Sequence, residues 1–132
     1  MKYVVILAMF GAAAFAADEP KKALTKKEVG KMMKDVHKGA KSPHVNVDAE
    51  LKKDEPDWDV IAKGAKSFNE MSAAFARVDL GYSSPAKYNA AAKALTKAAG
   101  DKDKKAATEA VAAMNKSCSS CHSYGGAGGA LK

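Results

Sequence analysis

The chain contains few residues that cross-link or kink a polypeptide. Its 132 residues include two cysteines and four prolines, and aromatic residues make up 7%. The cysteines, Cys118 and Cys121, are only three positions apart. A disulfide between them would stabilise little, because that stabilisation grows with the length of the closed loop. The cysteine pair therefore needs another chemical explanation.

The sequence also lacks an apolar run long enough to cross a membrane. Its longest run, residues 3–15, falls short of the roughly 20 residues that a transmembrane helix needs. The run follows Met1 and Lys2 and ends in small residues, with Ala14 and Ala16 at the positions that signal peptidase prefers. We expect residues 1–16 to be a signal peptide. Residues 17–132 would form one periplasmic domain with a glycine-rich C-terminal tail and no membrane anchor after processing.

Acidic residues are in the minority, with 15 of them against 22 lysines and arginines, for a formal net charge of +7. A basic protein of this kind can face nucleic acid, anionic lipid or an acidic protein. The lysines are spread along every predicted helix, mostly away from the apolar positions, which is typical of solvated helix faces. We therefore predict no nucleic-acid partner.

No segment alternates with the period of a β-strand, and apolar positions recur at helical spacing instead. Thr25 and Glu28 form a capping box that starts a first helix, with Ser42-Pro43 closing it. Residues 44–55 are predicted to be a connection. Three more helices are predicted. One starts at Pro56, has its apolar stripe through Phe75 and is broken by Gly81. The next runs from Ser84-Pro85 to a C′ glycine at Gly100, and the last from Asp101 or Asp103 through the cysteines. The predicted fold is an all-α antiparallel four-helix bundle.

The sequence Cys118-Ser119-Ser120-Cys121-His122 matches the C-x-x-C-H pattern of covalent haem attachment. On a helix, two thiols three residues apart project from nearly the same side and can add to the two vinyl groups of a porphyrin. The next residue then offers an imidazole to the iron. This pattern predicts one haem c, with Cys118 and Cys121 as thioethers and His122 as the proximal iron ligand.

Two other kinds of chemistry use cysteines at this spacing. A structural zinc site needs four ligands, and only His37 and His44 are available to complete the pair. A thioredoxin-like dithiol expects a preceding strand and a βαβ unit, which the helical pattern does not offer. In either case the chain would be a small structural or metal-binding protein without haem.

The position of the motif on the last of four predicted helices resembles the class II cytochromes c, the family of cytochrome c-prime and its low-spin relatives. The resemblance covers the whole mature chain in architecture, and in motif it rests on residues 115–123 and 29–40. It implies a haem near the C-terminal helix. Members usually have a basic residue shortly after the attachment histidine, and this chain has Ser123 and Tyr124 there instead, so the resemblance assigns no propionate contact.

The family places its sixth iron ligand on the first helix, which implies Met33 as that ligand in the low-spin branch. Met32 and His37 are the competing residues. A methionine on an apolar stripe is usually core filling, and the charged neighbours of His37 predict an exposed rim. His44 is predicted to be a surface histidine in the connection.

A haem held by histidine and methionine has its potential raised by the thioether and has no free coordination position. The expected function is therefore one-electron transfer by a soluble periplasmic carrier, not an enzyme. Its expected partners are redox proteins, with acidic docking surfaces as one option. The resemblance also suggests a homodimer, because relatives often dimerise through their first two helices. The alternative is a five-coordinate protein of the cytochrome c-prime type that binds nitric oxide or carbon monoxide.

Overall fold

The computed structural model describes residues 22–78 and 85–123, with side chains described as far as Ser119. Every regular element in these ranges is an α-helix, so the prediction of an all-α fold is confirmed. The described residues form five helices, one more than predicted. In chain order they are α1 (Lys26–His37), α2 (Pro43–Leu51), α3 (Trp58–Phe75), α4 (Ala86–Asp101) and α5 (Lys104–Ser123).

Helix α1 begins with the predicted capping box. The backbone N–H of Glu28 donates to Thr25 Oγ1 at 3.2 Å, and the backbone N–H of Thr25 donates to Glu28 Oε2 at 2.8 Å. The helix ends at His37, a turn earlier than the apolar pattern predicts. Gly39 causes this early end, because its φ of 103° lies in the left-handed region that a helix cannot use.

Helix α2 lies where the sequence predicts a connection, and that prediction is wrong. Ser42 and Pro43 start this helix and do not close α1: Ser42 Oγ accepts the backbone N–H of Val45 at 3.4 Å, and Pro43 occupies the first turn. Its hydrophobic side chains Val47 and Leu51 are buried. So short a helix, with only these two buried apolar residues, carries too little helical periodicity to be recognised in the sequence.

The later helices begin close to their predicted starts. Asp57 caps α3, because its Oδ1 accepts the backbone N–H of Asp59 at 3.0 Å. Asp103 caps α5 in the same way, because its Oδ1 accepts the backbone N–H of Ala106 at 3.0 Å. The predicted end of α4 is wrong: Gly100 lies inside the helix, and Lys102 takes the left-handed cap conformation, with a φ of 54°. Ser84 and Gly81 lie outside the described residues.

Neighbouring helices run in opposite directions. Asn69 of α3 donates to Thr96 of α4 at 2.7 Å, and α4 then packs along α5 after a tight turn. The N–H of Leu24, just before α1, donates to the carbonyl of Arg77, just after α3, at 2.8 Å. The N-termini of α1 and α4 therefore lie at the same end as the C-termini of α3 and α5. This end is called the motif end below, because α5 carries the cysteine motif there.

The core is filled by large side chains from α3 and small ones from α4 and α5. Phe68, Ile61 and Met71 of α3 are fully buried, whereas alanines form most of the buried positions of α4 and α5. Phe75 and Tyr88 are buried, and Trp58 is half-buried. Within the described ranges, no helix is both long and apolar enough to cross a bilayer.

Candidate haem site

The cysteine motif lies on the last two turns of α5, whose backbone is helical through Ser123. Cys118 is partly buried, and its Sγ lies 3.5 Å from the carbonyl oxygen of Met114, one turn earlier. A helical backbone brings residues three positions apart to the same side, which is the relation that attachment through Cys118 and Cys121 requires. The backbone of His122 lies one turn beyond Cys118. The side chains of Cys121 and His122 lie outside the described part of the chain.

Tyr88 lies at the start of α4, near Cys118 of α5 and in contact with the aromatic residues of the core. Its ring packs edge-on against Phe75, with ring centroids 5.3 Å apart. Burial raises the pKa of Tyr88 far above its usual value, and the nearby Cys118 thiol raises it further. Tyr88 therefore stays a neutral phenol at physiological pH, close to the residue that carries the first predicted thioether.

The two methionines of α1 occupy different positions relative to its buried face. Val29 and Gly30 are buried, and both Met32 and Met33 are partly buried against the core. At about 100° per residue, Met33 lies about 40° from Val29 on the side of Gly30. Met32 lies about 60° from Val29 on the opposite side. Met33 is thus nearer the middle of the buried face.

The direction of α1 bears on the positions of both Met33 and His37. Side chains on an α-helix lean toward its N-terminus, and the N-terminus of α1 lies at the motif end. His37 starts one turn farther from that end than Met33 does. The imidazole of His37 nevertheless contacts the hydroxyl of Tyr88, whose pKa is influenced by the nearby Cys118, so the direction of α1 does not by itself choose between the two residues.

The charged neighbours of His37 predicted that it lies on an exposed rim, and this prediction is wrong. It is partly buried, stacks on Phe68 with ring centroids 5.4 Å apart, and places its Nε2 2.8 Å from the Tyr88 hydroxyl. Burial, and secondarily the nearby His44, lower the pKa of His37 to about 4. The imidazole and the phenol are both neutral, and the imidazole tautomer determines which of them donates this hydrogen bond.

His44 is also more sheltered than predicted. It lies in the first turn of α2, and its side chain is only 19% exposed. Its ring centroid is 5.2 Å from that of His37. His44 Nε2 is buried without a hydrogen-bond partner, and the nearest carboxylate oxygen, Oδ2 of Asp48, is 3.9 Å away. The sequence contains no signal for this contact, because it depends on the unpredicted helix α2.

The contact between the histidines bears on the zinc alternative. His37 is far from the cysteines in sequence, but the fold brings it to Tyr88, which is itself near Cys118. His37 Nε2 is occupied by the Tyr88 hydroxyl. Among the described side chains, no group of three or more His, Cys, Asp or Glu residues is arranged to hold a metal ion.

Helices α1 and α5 carry residues of the types that hold a haem c. Helix α1 packs closely on α2 and α3, and α5 packs closely on α4 and α2. Over the described residues, α1 and α5 are not a closely packed pair. Two thiols and an imidazole on one helix, with a thioether on the other, form a donor set that suits haem c.

Comparison of the chain with protein-family models, with curated proteins and with solved structures gives no match. The interpretation of this site therefore rests on the chain's own residues and on their arrangement.

Proposed function

We propose that the chain is an exported class II-type cytochrome c that carries one covalent haem and transfers single electrons. One observation carries the proposal: the complete C-x-x-C-H motif lies on the last turns of α5, whose backbone is helical through Ser123. The motif accounts for a cysteine pair that a disulfide explains poorly.

In this proposal, Cys118 and Cys121 would form the thioethers, and His122 and Met33 would be the iron ligands. The haem supplies a reversible one-electron redox centre when bound. The buried rings of Phe75 and Tyr88 shield the motif end from water. The pKa values of His37 and Tyr88 are shifted so that both stay neutral, and the pair therefore adds no charge next to the redox centre.

Met33 is proposed as the sixth ligand ahead of Met32 and His37. Of the three it is closest to the middle of the buried face of α1. The imidazole of His37 is already engaged by stacking on Phe68 and by the hydroxyl of Tyr88. A methionine ligand and a full coordination shell favour electron transfer over catalysis at the metal.

Periplasmic location after removal of residues 1–16, and redox partners with acidic docking surfaces, belong to the same proposal. The supporting observations are the charged start and apolar run of residues 1–16 and the positive net charge of +7. N-terminal sequencing of protein recovered from a periplasmic fraction tests the location. A mature protein that still begins at Met1 would contradict it.

The first experiment tests covalent attachment. Purified protein is denatured in acidified organic solvent and the mass of the polypeptide is measured. We expect the mass to include one haem, because thioether bonds survive conditions that release a haem held only by iron ligation. Replacing Cys118 or Cys121 with Ala should weaken attachment, and a chain without retained porphyrin would refute the proposal.

The second experiment compares Met33→Ala with the matched variant Met32→Ala. The unmodified protein should have a low-spin reduced spectrum with sharp α and β bands. Met33→Ala should change it toward high spin and allow carbon monoxide to bind, whereas Met32→Ala should leave it unchanged. If instead only Met32→Ala or His37→Ala destroys the low-spin spectrum, Met33 is not the ligand. If the unmodified protein is already high-spin and binds carbon monoxide readily, the gas-binding alternative replaces the carrier.

A further inference from the structure

Two histidine side chains, those of His37 and His44, meet where α1 ends and α2 begins. Their ring centroids are 5.2 Å apart, and the ring planes cross at 63°. When the Zn–N bonds are about 2.0–2.1 Å long, two imidazoles on one tetrahedral zinc ion have ring centroids about 5 Å apart. The observed separation of the two rings therefore matches that of two imidazoles that share one ion.

The ring of His44 contains a buried nitrogen atom with no partner. No group in the described part of the chain makes a hydrogen bond with its Nε2. The nearest carboxylate oxygen, Oδ2 of Asp48, is 3.9 Å away, which is too far for a hydrogen bond. A buried polar atom without a partner is costly, and an ion or a water molecule is the usual reason for it in a native structure. An ion beside His44 would give this nitrogen a partner.

The ring of His37 is held in the way that metal-binding histidines are held. It stacks on Phe68, and its Nε2 lies 2.8 Å from the Tyr88 hydroxyl. A histidine that binds a metal through one ring nitrogen usually donates the N–H of the other to a neighbouring acceptor. In the tautomer with the proton on Nε2, His37 donates to Tyr88, and its Nδ1 has a lone pair for an ion. Burial lowers the pKa of His37 to about 4, so its ring is in the neutral form that metals require.

We propose that His37 and His44 bind one divalent transition-metal ion, with zinc as the ion best suited to them, through Nδ1 of His37 and Nε2 of His44. Imidazole ligands suit zinc, copper and nickel, and they suit magnesium and calcium poorly. The described side chains do not form a finished three-ligand site, so the two rings are its fixed part. Asp48 lies one turn after His44, and its side chain is 39% exposed, which allows it to turn toward the ion as a third ligand.

This site differs from the zinc site considered for the cysteine motif, because it uses no cysteine. It is also independent of the haem proposal, since the two rings meet whether or not the motif carries a haem. Lys38 and Lys41, in the connection between the two histidines, are exposed, so solvent screens their charges from the ion. The ion would join the end of α1 to the start of α2, and its binding should stabilise the folded chain.

The test is a calorimetric titration of the purified protein with zinc chloride at about pH 7.5, after alkylation of any free thiols. We expect one zinc ion per chain, with a Kd of about 1–50 μM, and a melting temperature that rises with the zinc concentration. His44→Gln and His37→Gln should each weaken binding at least about tenfold, and Asp48→Asn should weaken it less. Asp35→Asn is the matched control, because Asp35 also lies in an i,i+4 ion pair on a helix surface.

The unmodified protein provides a second measurement that does not depend on how the variants fold. In NMR spectra, the ring signals of both His37 and His44 should change as zinc is added. The absence of binding up to about 1 mM zinc would overturn the proposal. An affinity that His44→Gln leaves unchanged would also overturn it, as would zinc binding that changes the ring signals of neither histidine. Haem absorbance recorded on the same samples reports the haem proposal separately.

Discussion

The buried contact of His37 predicts a dependence of stability on pH that one substitution should remove. In the unfolded chain the imidazole protonates near 6.5, and in the folded protein burial lowers its pKa to about 4. Between these values the unfolded state binds more protons than the folded state. The free energy of unfolding therefore falls as the pH decreases from about 7 to about 4.

The size of the effect follows from the same shift. A pKa that falls from 6.5 to about 4 corresponds to roughly 3 kcal/mol for a fully sheltered ring. The imidazole is partly exposed, so solvent screening reduces this contribution to about 1–2 kcal/mol. The carboxylates of Glu28 and Glu50 also have lowered pKa values, so their stabilisation is lost mainly at still lower pH. The stabilisation by these carboxylates is lost equally in the unmodified protein and in the His37→Gln variant with which it is compared below.

The assay is urea unfolding followed by circular dichroism at about pH 7.5 and about pH 4.5. His37→Gln provides the comparison, because glutamine can accept the Tyr88 hydroxyl but does not titrate. We expect the difference in unfolding free energy between the two pH values to shrink by about 1–2 kcal/mol in this variant. Tyr88→Phe is the control, since it removes the hydrogen bond and keeps the imidazole.

The reasoning would be refuted if His37→Gln retained the full pH dependence of the unmodified protein. That result would mean that other groups cause the loss of stability in acid. If the unmodified protein were equally stable at both pH values, His37 would not be sheltered in solution. A difference that Tyr88→Phe removes as completely as His37→Gln does would assign the effect to the hydrogen bond and not to burial.

Three further substitutions test the packing and the caps by the same unfolding assay. Gly64→Ala should lower stability by about 1–2 kcal/mol, because a methyl group there overlaps Val47 Cγ2 and overpacking outweighs the gain in helix propensity. Gly100→Ala should raise stability by about 0.5–1 kcal/mol, since nothing lies within 4 Å of the added carbon. Equal effects at the two glycines would contradict the close approach of α2 to α3. Thr25→Ala should cost about 1 kcal/mol through loss of the capping box, and no loss would mean that the end of α1 frays in solution.

The sequence by itself determined the features that depend on nearby residues. The capping box of Thr25 and Glu28 joins residues three positions apart, and the start of α5 at Asp103 depends on a similar local bond. The long helices α3, α4 and α5 repeat their apolar positions often enough to be recognised. The C-x-x-C-H motif is also local, because its chemistry requires only a fixed spacing on a helix.

Tertiary structure decided the features that join distant parts of the chain. Helix α2 has too few apolar positions to show a period, and its burial depends on Gly64 of α3, which leaves room for Val47. The approach of His37 to Tyr88 spans 51 residues, and no local pattern encodes it. Helix formation follows from contacts a turn apart, whereas the position of one helix face against another follows only from the packing of the whole fold.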